Sequence, residues 1–146
     1  PLALKKVQTG MYSVLNSKKG TAYGSRVESK SKYFAGKTGT SQVTGISRSE
    51  REDGVSKNED KPWKYRDHAL FVGYAPFKNP KYAVSVIVDH GGSGSASAAP
   101  IARDLILAAQ YNSIPPLTSY PEAQRNRINS KLKKMRLIDP KETMGL

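Results

Sequence analysis

The chain has 146 residues, no cysteine and a formal net charge of +12. That length allows one domain with a modest core, and the lack of cysteine excludes a disulfide framework or a thiolate-held metal. A hydrophobic share of 37% is low for a self-sufficient globule and suggests a fragment, or a domain with long polar loops.

The charge is uneven. Residues 1–44 carry eight Lys/Arg and one acidic residue, whereas residues 45–68 carry six of each and cancel. A basic first third suits a nucleic acid, an anionic membrane surface or an anionic polymer, and equally a plain solvated surface. No basic run alternates with stacking aromatics, so no nucleic acid is expected as partner. No segment has the length and apolarity of a membrane span or a signal peptide. The chain opens at Pro1 inside an apolar helical pattern, so the natural start is expected upstream.

Leu4, Val7, Met11, Val14 and Leu15 predict an amphipathic helix over 2–16. Lys18 and Lys19 suit its C-terminal end and Gly20 its cap. Thr21 to Arg26 reads as a turn into Tyr33-Phe34-Ala35-Gly36-Lys37-Thr38-Gly39-Thr40-Ser41, an edge strand that Val43 and Thr44 continue. Residues 45–67 alternate charge without apolar periodicity and read as a long polar loop, with Trp63 and Tyr65 packing back onto the body. His68–Pro76 and Tyr82–Asp89 are apolar strands joined by a turn at Asn79-Pro80, hence an antiparallel hairpin. Their near-continuous apolarity predicts cover on both faces.

His90–Ser95 reads as a flexible link into a helix over 98–111, with Ile101, Leu105, Ile106 and Ala109 on one face and Pro100 in its first turn. Residues 112–146 read as a basic tail, with a surface helix over 123–137 on Ile128, Leu132 and Met135. The domain proper is therefore expected over 1–111.

The most chemically loaded stretch is Lys37-Thr38-Gly39-Thr40. A lysine and two hydroxyls surround a glycine that lets a ligand approach the backbone, which is a site for a carboxylate or phosphate. Gly36-Lys37-Thr38 ends like a nucleotide-binding P-loop, but that loop needs glycine where Ser31 stands, and a helix immediately after. Gly91-Gly92-Ser93-Gly94 before a helix suits an anion or simply a loop and N-cap. His68 and His90 lack carboxylates at ligand spacing and read as structural; no metal or cofactor is expected.

Lys37-Thr38-Gly39-Thr40, then His68–Pro76, then Tyr82–Asp89, Gly91-Gly92 and Ala98-Ala99-Pro100-Ile101-Ala102 together resemble the C-terminal part of the transpeptidase domain of class B penicillin-binding proteins, most of all penicillin-binding protein 2. Gly20-Thr21-Ala22 fits the turn before the strand, and the likeness runs from about Met11 to about Ala109. That family uses three motifs in chain order: Ser-x-x-Lys, Ser-x-Asn and Lys-Thr-Gly. Only the third is convincing here. Ser29-x-x-Lys32 lies too close to the strand, and Ser130-x-x-Lys133 and Ser56-x-Asn58 come after Lys37.

The resemblance implies a peptidoglycan D,D-transpeptidase fragment without its nucleophile serine, inactive alone. It implies an α+β fold, an antiparallel sheet flanked by N- and C-terminal helices, with the family's all-helical lobe outside this chain. Lys37 would supply positive potential and help proton transfer at the serine. Thr38 and Thr40 would bind the substrate or β-lactam carboxylate, the Thr40 N–H would complete an oxyanion hole, and Gly39 would keep the acyl path clear. The implied partners are stem peptides, β-lactams and the cell-elongation machinery, on the periplasmic side of the inner membrane with an N-terminal anchor outside this chain. Exposed apolar surface predicts that the fragment dimerises or swaps elements. The alternative is a non-catalytic module binding an anionic polymer or a partner protein.

Overall fold

The computed structural model describes residues 1–45, 48–54 and 56–135. Helix α1 spans Leu2–Asn16 on the predicted apolar spacing. Of that stripe only Leu15 is fully buried, while Leu4 and Val7 remain exposed. The helix is capped by Ser17, in extended backbone, and not by Gly20 as expected. Gly20 instead lies so close to the Ser13 and Val14 carbonyls that any Cβ would overlap them. The turn after α1 is thereby pressed onto the last turn of the helix.

Strands β1 (Ala35–Ser41), β2 (His68–Ala75) and β3 (Tyr82–Val88) form one sheet in that order. Both pairings are antiparallel, and the expected β2–β3 hairpin closes with Lys81 N–H donating to Ala75 O at 2.8 Å. Val43 does not continue β1; its N–H turns to Asp67 Oδ1 at 3.4 Å. Gly36 sits opposite Gly73. A Cβ at Gly36 would overlap the Phe71 ring, and one at Gly73 would lie 2.8 Å from it. The glycine pair is the slot that lets Phe71 lie flat against the sheet, fully buried.

Among the described residues, cover on both faces of the sheet is not observed. Ala69, Phe71, Gly73 and Ala75 are buried on one face, whereas Val72 and Ile87 are 48% and 64% exposed. The apolar runs of β2 and β3 therefore face a core on one side only.

Helix α2 (Arg48–Asp53) and two short 3-10 turns lie within the polar connection between β1 and β2. Its end does pack back: the Trp63 ring meets His90 at 4.3 Å. After β3, a π turn over Gly94–Ala98 leads into α3 (Ala99–Tyr111), with Pro100 in the first turn. Both Gly92 and Gly94 are buried, so the expected free link is a packed one.

The predicted face of α3 is split. Ile106 is buried with Ala99, Ala102 and Leu107, while Ile101 and Leu105 turn away into a cavity of about 890 Å³ that Leu132 and Met135 share. Arg103 occupies the buried face in their place. Its guanidinium donates to Asp104 Oδ1 (3.0 Å) and Gln124 Oε1 (2.7 Å) and lies 4.8 Å from the Tyr120 ring centroid. A buried cation is tolerated only when partnered in this way. Helix α4 (Glu122–Lys134) supplies Gln124, and Tyr120 and Ile128 join the core cluster with Leu15, Phe34, Phe71 and Ile106. The architecture is the expected α+β one, an antiparallel sheet with helices before and after it.

Candidate active-site strand

β1 is held from three sides. Its ladder pairs Lys37 with Val72, Thr38 with Phe71, Gly39 with Leu70 and Thr40 with Ala69. At its start, Asn16 Nδ2 donates to Phe34 O at 3.1 Å and ties α1 to the strand. On its buried side, Gly94 of the π turn presses on the backbone of Gly39 and Leu70 so closely that any Cβ at 94 would overlap both carbonyls. The remaining side, the outer edge of β1, has no neighbouring strand among the described residues.

Side chains alternate along a strand, so Thr38 and Thr40 share one face and Lys37 and Gly39 the other. Lys37 is exposed and its Nζ donates to Thr38 O at 2.7 Å. Thr38 is half-buried, with Oγ1 3.2 Å from Thr21 Oγ1. Thr40 is exposed. At Gly39 a Cβ would lie 3.3 Å from Leu70 Cβ, a tight fit that would crowd the strand's open face. One cation, two hydroxyls and an open backbone edge thus meet within four residues. Such a surface receives an extended, anionic group by strand-like contact.

The two histidines cluster beyond the C-terminal end of β1, where Ser41 pairs with His68. The His90 backbone N–H donates to His68 Nδ1 at 3.0 Å, so that nitrogen is an acceptor and carries no proton. The 3.4 Å approach of Asp89 Oδ1 to the same nitrogen is then not an ion pair. His90 Nδ1 lies 2.9 Å from Arg66 O; a carbonyl only accepts, so this nitrogen is the donor. Both rings are engaged in holding turns.

Asp67 is a second organiser. It is 8% exposed, its N–H donates to Asn58 Oδ1 at 2.9 Å, and its carboxylate receives Asn58 Nδ2 at 3.3 Å and Val43 N–H at 3.4 Å. Its carbonyl accepts Gly92 N–H at 2.8 Å, so the exit of β1 and the glycine turn are tied to one residue. Of the serines in chance Ser-x-x-Lys or Ser-x-Asn matches, Ser130 is on α4, where its hydroxyl donates to Asn126 O at 3.0 Å.

Thr21, Asn16, Asp67 and Gly94 were not singled out as parts of this site by sequence reasoning. Only Gly94 carried a usable signal, a glycine in a rich run, and there the run reads as a link.

The chain matches the penicillin binding protein transpeptidase domain over residues 1–107, and it belongs to that family. It is 37% identical over 105 residues to the peptidoglycan D,D-transpeptidase MrdA of Haemophilus influenzae, covering 71% of this chain and 15% of that protein. The MrdA of Salmonella typhimurium strain SL1344 is 36% identical over 107 residues, covering 68% and 15%. The chain thus spans about a seventh of the length of these relatives. Among solved structures, Helicobacter pylori penicillin-binding protein 2 in complex with MreC superposes with a TM-score of 0.56 at 33% identity, over 75% of this chain and 17% of that one. Pseudomonas aeruginosa penicillin-binding protein 2 gives 0.51 at 32% identity, over 80% and 22%.

Proposed function

We propose that this chain is part of a peptidoglycan D,D-transpeptidase of the penicillin-binding protein 2 type, which cross-links stem peptides through a serine acyl-enzyme. The observation that carries the reading is Lys37-Thr38-Gly39-Thr40 lying on the open edge of β1 with both hydroxyls on one face. In this reading Thr38 and Thr40 hold the terminal carboxylate of the stem peptide, or that of a β-lactam. Lys37 supplies the positive potential and assists proton transfer at the serine. The N–H and C=O of one residue in an antiparallel strand point the same way, and the direction repeats every second residue. The Lys37 ammonium caps the Thr38 carbonyl, which supports an outward direction for Thr38 and hence for the Thr40 N–H, the proposed oxyanion donor. One such donor is worth about 3 kcal/mol of barrier.

The nucleophile serine belongs to sequence outside this chain, so the chain alone forms no acyl adduct. The whole protein works on the periplasmic face of the inner membrane, held by an N-terminal anchor, alongside the cell-elongation machinery; the MreC complex of the Helicobacter pylori relative supports that partnership. In isolation, copies of this chain associate through β3.

Labelling with a fluorescent penicillin tests the reading. The full-length protein should take the label, Lys37→Ala should slow it by about a hundredfold or more, and the isolated chain should stay unlabelled. A covalent label on the isolated chain would sink the half-site reading.

A further inference from the structure

The hydroxyl of Thr38 is not alone. Thr21 Oγ1 lies 3.2 Å away and makes no other hydrogen bond among the described residues. Thr21 is itself exposed, yet the backbone on either side of it is locked. Gly20 N–H donates to Ser17 O at 2.8 Å and Ala22 N–H to Val14 O at 3.0 Å. Ala22 is 2% exposed, and Gly20 is packed against α1 without room for a side chain. An exposed threonine is thus held at a fixed distance from one of the two hydroxyls of the strand.

A threonine hydroxyl has one proton and two acceptor sites. Alone, the Thr21–Thr38 pair can run in either direction. When an anion meets Thr38, the Thr38 proton must point at the anion, and its oxygen is left to accept. Only the direction Thr21 O–H to Thr38 O–H to anion then satisfies every group, and donors in series strengthen one another.

We propose that Thr21 is a positioning residue of the carboxylate subsite: it donates to Thr38 Oγ1 and so fixes the Thr38 proton toward the substrate carboxylate. The inference rests on the transpeptidase reading. It adds to it a residue from the turn before the strand, well upstream of Lys37.

The test uses the full-length transpeptidase carrying Thr21→Val or Thr21→Ser, with benzylpenicillin as the probe. Stopped-flow acylation separates the dissociation constant of the first complex from the rate constant of acylation. The carboxylate is bound both before and during acylation, so loss of the relay is a uniform-binding defect. Thr21→Val should raise the dissociation constant about tenfold, with the acylation rate constant staying within roughly twofold. Thr21→Ser, which keeps the hydroxyl, should match wild type. The proposal is overturned if Thr21→Val binds like wild type, if its defect lies in the acylation rate constant, or if Thr21→Ser is as impaired as Thr21→Val. A wild-type protein that takes no penicillin at all would instead overturn the transpeptidase reading, and this proposal with it.

Discussion

The sheet has two edges of opposite character. β1 reads Ala-Gly-Lys-Thr-Gly-Thr-Ser and β3 reads Tyr-Ala-Val-Ser-Val-Ile-Val. The first carries a lysine, two hydroxyls toward one face and two glycines, devices that discourage pairing with another strand. The second has no charge, no proline and no glycine, and leaves Tyr82 and Ile87 40% and 64% exposed. An uncharged apolar edge is a template for a further strand. One edge is charged and rich in hydroxyls; the other is apolar and uncharged. Lys81 and Asp89 lie equally far from Ser85, so two β3 strands pairing antiparallel about Ser85 would set each lysine across from the other copy's aspartate, a favourable cross-strand arrangement.

The contrast breaks most visibly at the support beneath β1. Gly94→Ala should cost about 1–3 kcal/mol in urea unfolding, because its methyl must push the π turn off Gly39 and Leu70; an unchanged midpoint would show that this contact is slack. At the other edge, light scattering at high concentration should find the chain dimeric. Ser85→Lys, which places two lysines face to face at the pairing centre, should return it to a monomer, and a wild-type chain that is monomeric throughout would remove β3 as a pairing edge. Smaller is an alkaline effect in the core beside α3. Burial, with Asp104 adding and Arg103 opposing, raises the Tyr120 phenol from 10.0 to about 12. The unfolded chain loses this proton at the lower value, so stability is full below pH 10 and declines as pH rises to about 12. Tyr120→Phe should abolish that part of the decline in a pH series of urea midpoints. Least of all, Lys37→Ala should move the midpoint of the isolated chain by no more than about 0.5 kcal/mol, since the lysine is exposed; a large loss would mean that the β1 edge is built for stability and not for a ligand.

Much of this was legible in the residues. Apolar spacing found α1, α3 and the β2–β3 hairpin because each carries a regular apolar stripe or run, even though only part of each stripe is buried. Ladder partners, and hence which face of each strand is covered, depend on chain far away, so the open face of the sheet was not visible. The buried face of α3 was misread for a related reason. Hydropathy ranks Ile101 and Leu105 above Arg103, but Arg103 is buried by partners at 104, 120 and 124 that no local window weighs. Lys37, Thr38, Gly39 and Thr40 stood out as a dense polar cluster in a strand. Thr21 did not, since an exposed threonine in a polar turn carries no local mark of the hydroxyl it meets.

The bond from Gln124 Nε2 to Gly24 O joins residues 100 apart, and Glu28 N–H donates to Ser119 O at 2.9 Å across a similar span. Contacts this distant in sequence are made late, after the entropy of closing so long a loop has been met by nearer ones. The turn that follows Thr21 is therefore fully braced only once residues 119 and 124 have folded back onto it. The strand can form early, but the turn that brings Thr21 to Thr38 reaches its final shape late in folding.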